Sequence, residues 1–180
     1  QAGGACRGWL WFRRWAGLVQ GSALSPLLCN YYLDPLDHTM EQRGIEMVRY
    51  ADDFVVLCRS QAAAEEALEE VRQWTASAGL QLHPTKTRIV DATQRGGFDF
   101  LGYHFERSMK WPRQKSLQKF KDTIRATTKR ANGQSLQAII YDVNRTSRGW
   151  FEYFKHSQWV TFDHLDDWLR MRLRSILRKR

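Results

Sequence analysis

The 180 residues are 43% hydrophobic and carry 28 Lys and Arg against 19 Asp and Glu, a net charge of +9, enough apolar chain for one domain or a domain with a helical appendage. No apolar run approaches the roughly 18 residues of a membrane span, and Cys6, Cys29 and Cys58 are odd in number and widely spaced. A membrane partner, a disulfide scaffold and a cysteine zinc site are therefore not expected, and a soluble, cytoplasmic protein is.

In chain order, residues 1–16 match no pattern; their Gly, Ala, Arg and Trp content would suit translation of GC-rich DNA in a shifted frame. Ser25-Pro26 reads as a helix start, with serine as N-cap and proline at the first helical position, where its missing N–H costs nothing. That helix runs toward Arg43-Gly44 with Leu27, Leu28, Tyr31 and Tyr32 as an apolar face, and Pro35 predicts a kink or an early end. A hairpin over 47–58 follows. The next helix covers 61–78, with Ala64, Ala67, Leu68, Val71 and Trp74 facing inward, and Gly79 stops it. Residues 80–90 read as a strand interrupted at Pro84, and 98–105 paired with Met109-Lys110-Trp111 as a second hairpin.

From Gln114 onward the strand signals vanish and three amphipathic helices fit the periodicity. The first carries Leu117, Phe120 and Ile124 and is broken at Asn132-Gly133; the second runs from Ser135 through Trp150, Tyr153 and Phe154; the third follows Thr161 as N-cap. Charge divides with the elements. Residues 1–103 hold ten Lys and Arg against twelve Asp and Glu, whereas 104–180 hold eighteen against seven, so the C-terminal part is the polyanion binder. Arginines at the end of the last helix also complement its dipole, which does not exclude a role on an RNA backbone. The fold class is α+β: antiparallel strands with packed helices, then a basic three-helix bundle.

The chemistry concentrates in Val48-Arg49-Tyr50-Ala51-Asp52-Asp53-Phe54-Val55-Val56-Leu57, two short apolar strands around adjacent carboxylates. Asp tolerates the positive φ of a two-residue hairpin loop, so Asp52-Asp53 is expected to close the turn. Crowded carboxylates repel, and a hard divalent cation, normally Mg²⁺ with oxygen ligands, offsets that repulsion. Taken alone, such a pair is more often a solvated surface turn. The histidines His38, His83, His104, His156 and His164 show no metal spacing and are expected at the surface or at caps.

The order of motifs is more specific than any one of them. Gln20-Gly21 precedes Leu24-Ser25-Pro26-Leu27-Leu28, Asn30 and Leu33-Asp34; Tyr50-Ala51-Asp52-Asp53 comes next, then Gly79-Leu80, Pro84, Lys86-Thr87 and Ile89-Val90. Phe98-Asp99-Phe100-Leu101-Gly102-Tyr103 follows, and Asn144, Arg148-Gly149-Trp150 and Tyr153-Phe154 end the series. From about Gly17 to Arg180 the chain resembles the reverse transcriptase and maturase proteins encoded by group II introns. The resemblance implies a partial polymerase palm over 17–112 and a thumb or maturase (X) helical domain over 113–180, with 1–16 unplaced.

It also implies roles: RNA-directed DNA polymerisation by two-metal nucleotidyl transfer, with Mg²⁺ as cofactor, and assistance to intron splicing. Asp52 resembles the principal metal ligand and Asp53 the secondary one. Lys86 resembles the lysine near the departing pyrophosphate, Gln20, Gly21 and Tyr50 the residues beside nucleotide and template, and Phe100, Leu101, Gly102 and Tyr103 the primer grip. The partners implied are group II intron RNA, an RNA template with a DNA primer, and deoxynucleoside triphosphates. For RNA phosphates the candidates are Lys115, Lys119, Arg125, Lys129, Arg130, Arg148, Arg170, Arg174 and Arg178. Trp150, Tyr153 and Phe154 could stack on bases, but their helical spacing favours core packing.

The sequence departs from the family in two places. Val19 stands where proline is usual, and no acidic residue precedes Asp34, although the family places a further metal carboxylate upstream of Gln-Gly. The chain is therefore expected to be a fragment, inactive alone, with an unpaired sheet edge and an uncovered apolar face. The alternative reading is a non-catalytic basic RNA-binding module.

Overall fold

A computed structural model describes residues 23–129 and 133–177, together with the backbone of 4–7 and 10–13. The chain divides into two compact units, Gln1–Ile89 and Val90–Arg180. The boundary falls inside the 17–112 segment, so the strands of 98–112 share a unit with the helices that follow. Among the described residues no helix is long and apolar enough to cross a membrane.

In the first unit, β1 (Gly4–Arg7) and β2 (Leu10–Arg13) form an antiparallel hairpin inside the segment that carried no sequence pattern. Helix α1 (Ser25–Gln42), strands β3 (Glu46–Tyr50) and β4 (Asp53–Leu57) and helix α2 (Gln61–Ser77) follow. Leu36 and Met40 of α1 and Val71 of α2 form the core, and Ile45, Met47, Phe54, Trp74 and Leu82 pack around them. Of the inward residues expected on α2, Ala67 and Val71 are buried and Ala64, Leu68 and Trp74 half-buried, with Thr75 buried beside them; Ser60 caps the helix by accepting from the Ala63 N–H at 3.2 Å, and Gly79 leaves it at φ +69°.

Four expectations about this part of the chain are corrected. Ser25 is the first helical residue, and the cap position is Leu24, with no side-chain cap bond. Pro35 does not end α1, which runs on to Gln42. An interior proline costs about 3 kcal/mol, and burying Leu36 and Met40 just beyond it returns about 1.5–3 kcal/mol each. The face of Leu27, Leu28, Tyr31 and Tyr32 is exposed, Tyr31 to 81% and Leu27 to 65%, because the helix turns Cys29, Leu33, Leu36, Asp37 and Met40 inward instead. Residues 80–90 form no strand; they turn at His83, whose carbonyl accepts from the Lys86 and Thr87 N–H groups, and no strand among the described residues offers them a ladder.

The second unit opens with a three-stranded antiparallel meander, β5 (Phe98–Phe100), β6 (Tyr103–Glu106) and β7 (Met109–Pro112). The single strand expected over 98–105 is two, because Leu101 (φ +47°) and Gly102 (φ +82°) close a tight turn between them. Positive φ at both central residues matches the right-handed twist of the flanking strands. Helices α3 (Gln114–Thr127), α4 (Leu136–Phe154) and α5 (Val160–Leu177) share one core of Phe120, Ile124, Ile139, Val143, Leu165 and Ile176. Ser135, where the second helix was expected to start, caps α4 by accepting from the Ala138 N–H at 3.2 Å. Thr161 does not cap α5: the helix begins one residue earlier, in a turn where Thr161 N–H donates to Gln158 and Phe162 N–H to Trp159.

Candidate functional site

The carboxylate pair sits at the tip of the β3–β4 hairpin, in a register that redistributes the expected roles. Tyr50 pairs with Asp53, Val48 with Val55 and Glu46 with Leu57, leaving Ala51-Asp52 as the two-residue loop. The positive φ falls on Ala51, at +54°, not on either aspartate. Left-handed backbone costs a non-glycine residue about 1–2 kcal/mol. Residues directly opposite in an antiparallel pair project to the same face, so Tyr50 shares its face with Asp53 rather than with Asp52. That face is open: Tyr50 is 67% exposed and Val48 and Leu57 are exposed with it, while Met47 and Phe54 of the opposite face meet the core.

A residue that the sequence reading passed over holds the turn. Arg49 is 10% exposed at its side chain and lies on the inner face of β3. Its Nε donates to Asp37 Oδ1 at 2.8 Å, Nη2 to Asp37 Oδ2, and Nη1 to Asn30 Oδ1 and to the Ala51 carbonyl, each at 3.0 Å. The Asp37 carboxylate, chiefly by accepting these bonds, raises the Arg49 pKa above its ordinary value. The signal was available in part, since Asn30, Asp34 and Asp37 recur at helical spacing on α1; only the fold shows that Arg49 reaches two of them. Leu27, Asn30, Tyr31, Asp34 and Arg49 line a cleft of about 550 Å³.

Asp52 and Asp53 are both exposed, and neither has an ion-pair partner among the described residues. No group of three His, Cys, Asp or Glu that could hold a metal occurs among those residues either. Two free adjacent carboxylates fit Mg²⁺ as it is bound to nucleotide substrates, through one or two protein oxygens with water and phosphates completing the shell. They do not fit a closed protein cage. Lys86 lies in the same unit, exposed, in the turn after His83 rather than on a strand. Gln20 and Gly21 lie outside the described residues.

In the second unit the segment expected as a primer grip is the β5–β6 turn. The Gly102 carbonyl accepts from the Arg113 N–H at 2.8 Å and from Ser116 Oγ at 3.2 Å, and the Leu101 carbonyl accepts from the Tyr153 hydroxyl at 2.7 Å. Tyr103 donates in turn to the Tyr153 carbonyl, and burial followed by the neighbouring Tyr153 phenol pushes its pKa up. Phe100 lies half-buried on β5. His104 is not a free surface histidine: it lies 2.8 Å from Asp99 and 3.7 Å from Glu106.

The basic residues of this unit fall into groups. Lys115, Lys119, Lys129, Arg148 and Arg174 are exposed, whereas Arg125 and Arg170 pair with Asp122 and Asp166, each at 2.6 Å. Arg130 and Arg178 lie outside the described residues. Lys121 and Arg172, which were not singled out, join Arg125 around the Trp168 ring at 5.9, 5.6 and 5.7 Å from its centroid. The i,i+4 spacings of Lys121 with Arg125 and of Trp168 with Arg172 carried that signal. Trp150 and Phe154 pack at 4.7 Å, with Phe154 buried, while Tyr153 is exposed and stacks on Tyr103 at 5.9 Å.

Comparison with known proteins adds an independent line. Residues 6–105, more than half of the chain, match the family described as reverse transcriptase (RNA-dependent DNA polymerase), and residues 117–180 match the group II intron, maturase-specific domain. The first match begins within the segment that carried no sequence pattern. The chain is 30% identical over 89 residues to a reverse transcriptase-like protein of Chlamydomonas reinhardtii, covering 48% of this chain and 23% of that protein. It is 28% identical over 91 residues to the Gag-Pro-Pol polyprotein of Mason-Pfizer monkey virus, covering 49% of this chain and 5% of the polyprotein. The chain thus spans less than a quarter of the length of either relative.

Proposed function

We propose, because the chain belongs to the reverse transcriptase (RNA-dependent DNA polymerase) family and carries a group II intron maturase-specific domain, that it supplies the carboxylate hairpin and RNA-holding part of an intron-encoded polymerase. The observation that supports this reading most is the hairpin register, which puts Asp52 in the loop and Asp53 at the strand start, neither ion-paired among the described residues. Asp52 is the principal ligand for Mg²⁺ and Asp53 the secondary one. Two such ions, when bound, would supply activation of the primer 3′-hydroxyl and stabilisation of the leaving pyrophosphate.

The chain's own residues do the holding. Tyr50, exposed beside Asp53, offers an aromatic face to nucleotide or primer, with Gln20 and Gly21 as template neighbours. Lys86 screens or protonates the departing pyrophosphate. Phe100, Leu101, Gly102 and Tyr103 form the grip on the primer, within a palm over 17–112. The helical part over 113–180 binds group II intron RNA through Lys115, Lys119, Lys129, Arg148 and Arg174, with Arg125, Arg130, Arg170 and Arg178 contributing, and assists its splicing.

Primer extension on an RNA template tests the proposal. The chain, completed with the upstream palm of a group II intron reverse transcriptase, should extend a DNA primer with Mg²⁺ and deoxynucleoside triphosphates and lose extension on Asp52→Ala. If completion restores no extension while RNA binding survives, the non-catalytic RNA-binding module takes its place.

A further inference from the structure

The Arg49 guanidinium spends four of its five N–H donors on four acceptor oxygens from three residues: both oxygens of Asp37, the Asn30 amide oxygen and the Ala51 carbonyl. The last is the informative one. Ala51 is the loop residue at φ +54°, and its carbonyl belongs to the peptide unit that leads into Asp52. Fixing that oxygen fixes the plane of the peptide that holds the Asp52 N–H and Cα, and so restricts the directions open to the Asp52 side chain. The other bonds anchor the same guanidinium to α1, a helix whose Leu36 and Met40 are in the core.

We infer that Arg49 is the positioning residue of the carboxylate turn, holding Asp52 in register against helix α1 through Asp37 and Asn30. The inference rests on the reading of Asp52 as a metal ligand. The role is one of positioning, exerted on the turn through the Ala51 carbonyl. A planar fork is required because acceptors on three residues in different directions must be met at once, and a lysine ammonium on a flexible stem cannot reproduce that arrangement. The local chemistry agrees: a non-glycine residue in left-handed backbone persists where its surroundings over-determine it, and a charge-assisted bond to its carbonyl does so here.

The test is a Mn²⁺ titration of the full chain, followed by paramagnetic broadening of backbone amide signals across 50–54, with the remaining amide shifts reporting the fold. Wild type should broaden first at Asp52 and Asp53. Arg49→Lys, with shifts elsewhere in the unit unchanged, should need about tenfold more Mn²⁺, the lower end of what outer-shell partners of a metal site contribute. Equal titration of wild type and a folded Arg49→Lys overturns the inference. Should Arg49→Lys lose its dispersed spectrum, Asp37→Asn decides: a several-fold weaker response supports the positioning role and an unchanged one overturns it. Asp52→Asn separates the two levels, since wild-type broadening in that variant refutes the metal-ligand reading itself, whatever Arg49 does.

Discussion

Tyr103 and Tyr153 hold each other's segments: the Tyr103 hydroxyl donates to the Tyr153 carbonyl, and the Tyr153 hydroxyl donates at 2.7 Å to the Leu101 carbonyl two residues before Tyr103. Their rings stack at 5.9 Å. The β5–β6 turn is thereby fastened to α4, so a segment expected to grip a primer is built into the helical unit that follows it.

Removing either hydroxyl while keeping the ring isolates that fastening. Tyr153→Phe leaves the Leu101 carbonyl without its donor and should cost about 1 kcal/mol in urea unfolding, as should Tyr103→Phe. The two bonds share one geometry, so the double variant should cost less than the sum of the single ones. Strict additivity would show that the two bonds form independently.

The same pair sets an alkaline limit. Burial, and then Tyr153, hold the Tyr103 pKa above its ordinary value. A phenol that binds its proton more tightly folded than unfolded contributes stability that is complete below the unfolded value, about 10, and is lost as pH rises through the folded value. The melting temperature of the second unit should therefore fall above about pH 10, and Tyr103→Phe should flatten that fall. An identical alkaline profile in the variant would place the titration elsewhere.

Two adjacent glycines should respond very differently to alanine. A Cβ on Gly97 would meet the Phe105 carbonyl oxygen at 2.0 Å, whereas one on Gly96 meets nothing within 4 Å. Both have positive φ, at +39° and +107°. Gly96→Ala should show backbone strain alone, about 1–2 kcal/mol, and Gly97→Ala that strain plus a displaced strand, above about 3 kcal/mol. Equilibrium unfolding of the two variants measures the difference.

RNA affinity should follow which cations are already paired. Lys115 and Lys119 are exposed and have no ion pair among the described residues, so removing both as alanine should flatten the salt dependence of RNA binding by about one to two phosphate contacts. Arg170, bonded to Asp166, should contribute less, because its carboxylate competes with phosphate. Filter binding or fluorescence anisotropy across a salt series reads both slopes, and a larger effect from Arg170→Ala would reverse the assignment.

Much of the architecture is legible in the sequence, and the parts that are not have a common character. The Gly79 stop and the inward seam of α2 follow from backbone conformations and periodicities that close within one or two helical turns. The faces of α1 do not. Tyr31 and Leu27 are as apolar as Leu36 and Met40, and which pair is buried depends on β3, β4 and α2 arriving against one side. The strand expected over 80–90 failed for the same reason, since a ladder needs a neighbour that no local pattern announces.

The amino-acid order alone determined the family, the α+β composition, the presence of adjacent carboxylates in a hairpin and the basic helical end, because each is written in contiguous motifs or summed charge. Tertiary structure decided that Ala51 rather than an aspartate takes the left-handed backbone, that Tyr50 faces Asp53, and that Arg49 clamps the turn to α1. Those relationships join residues up to 19 positions apart. Hydrogen-bond geometry at that range is set by packing, and packing is a property of the folded chain.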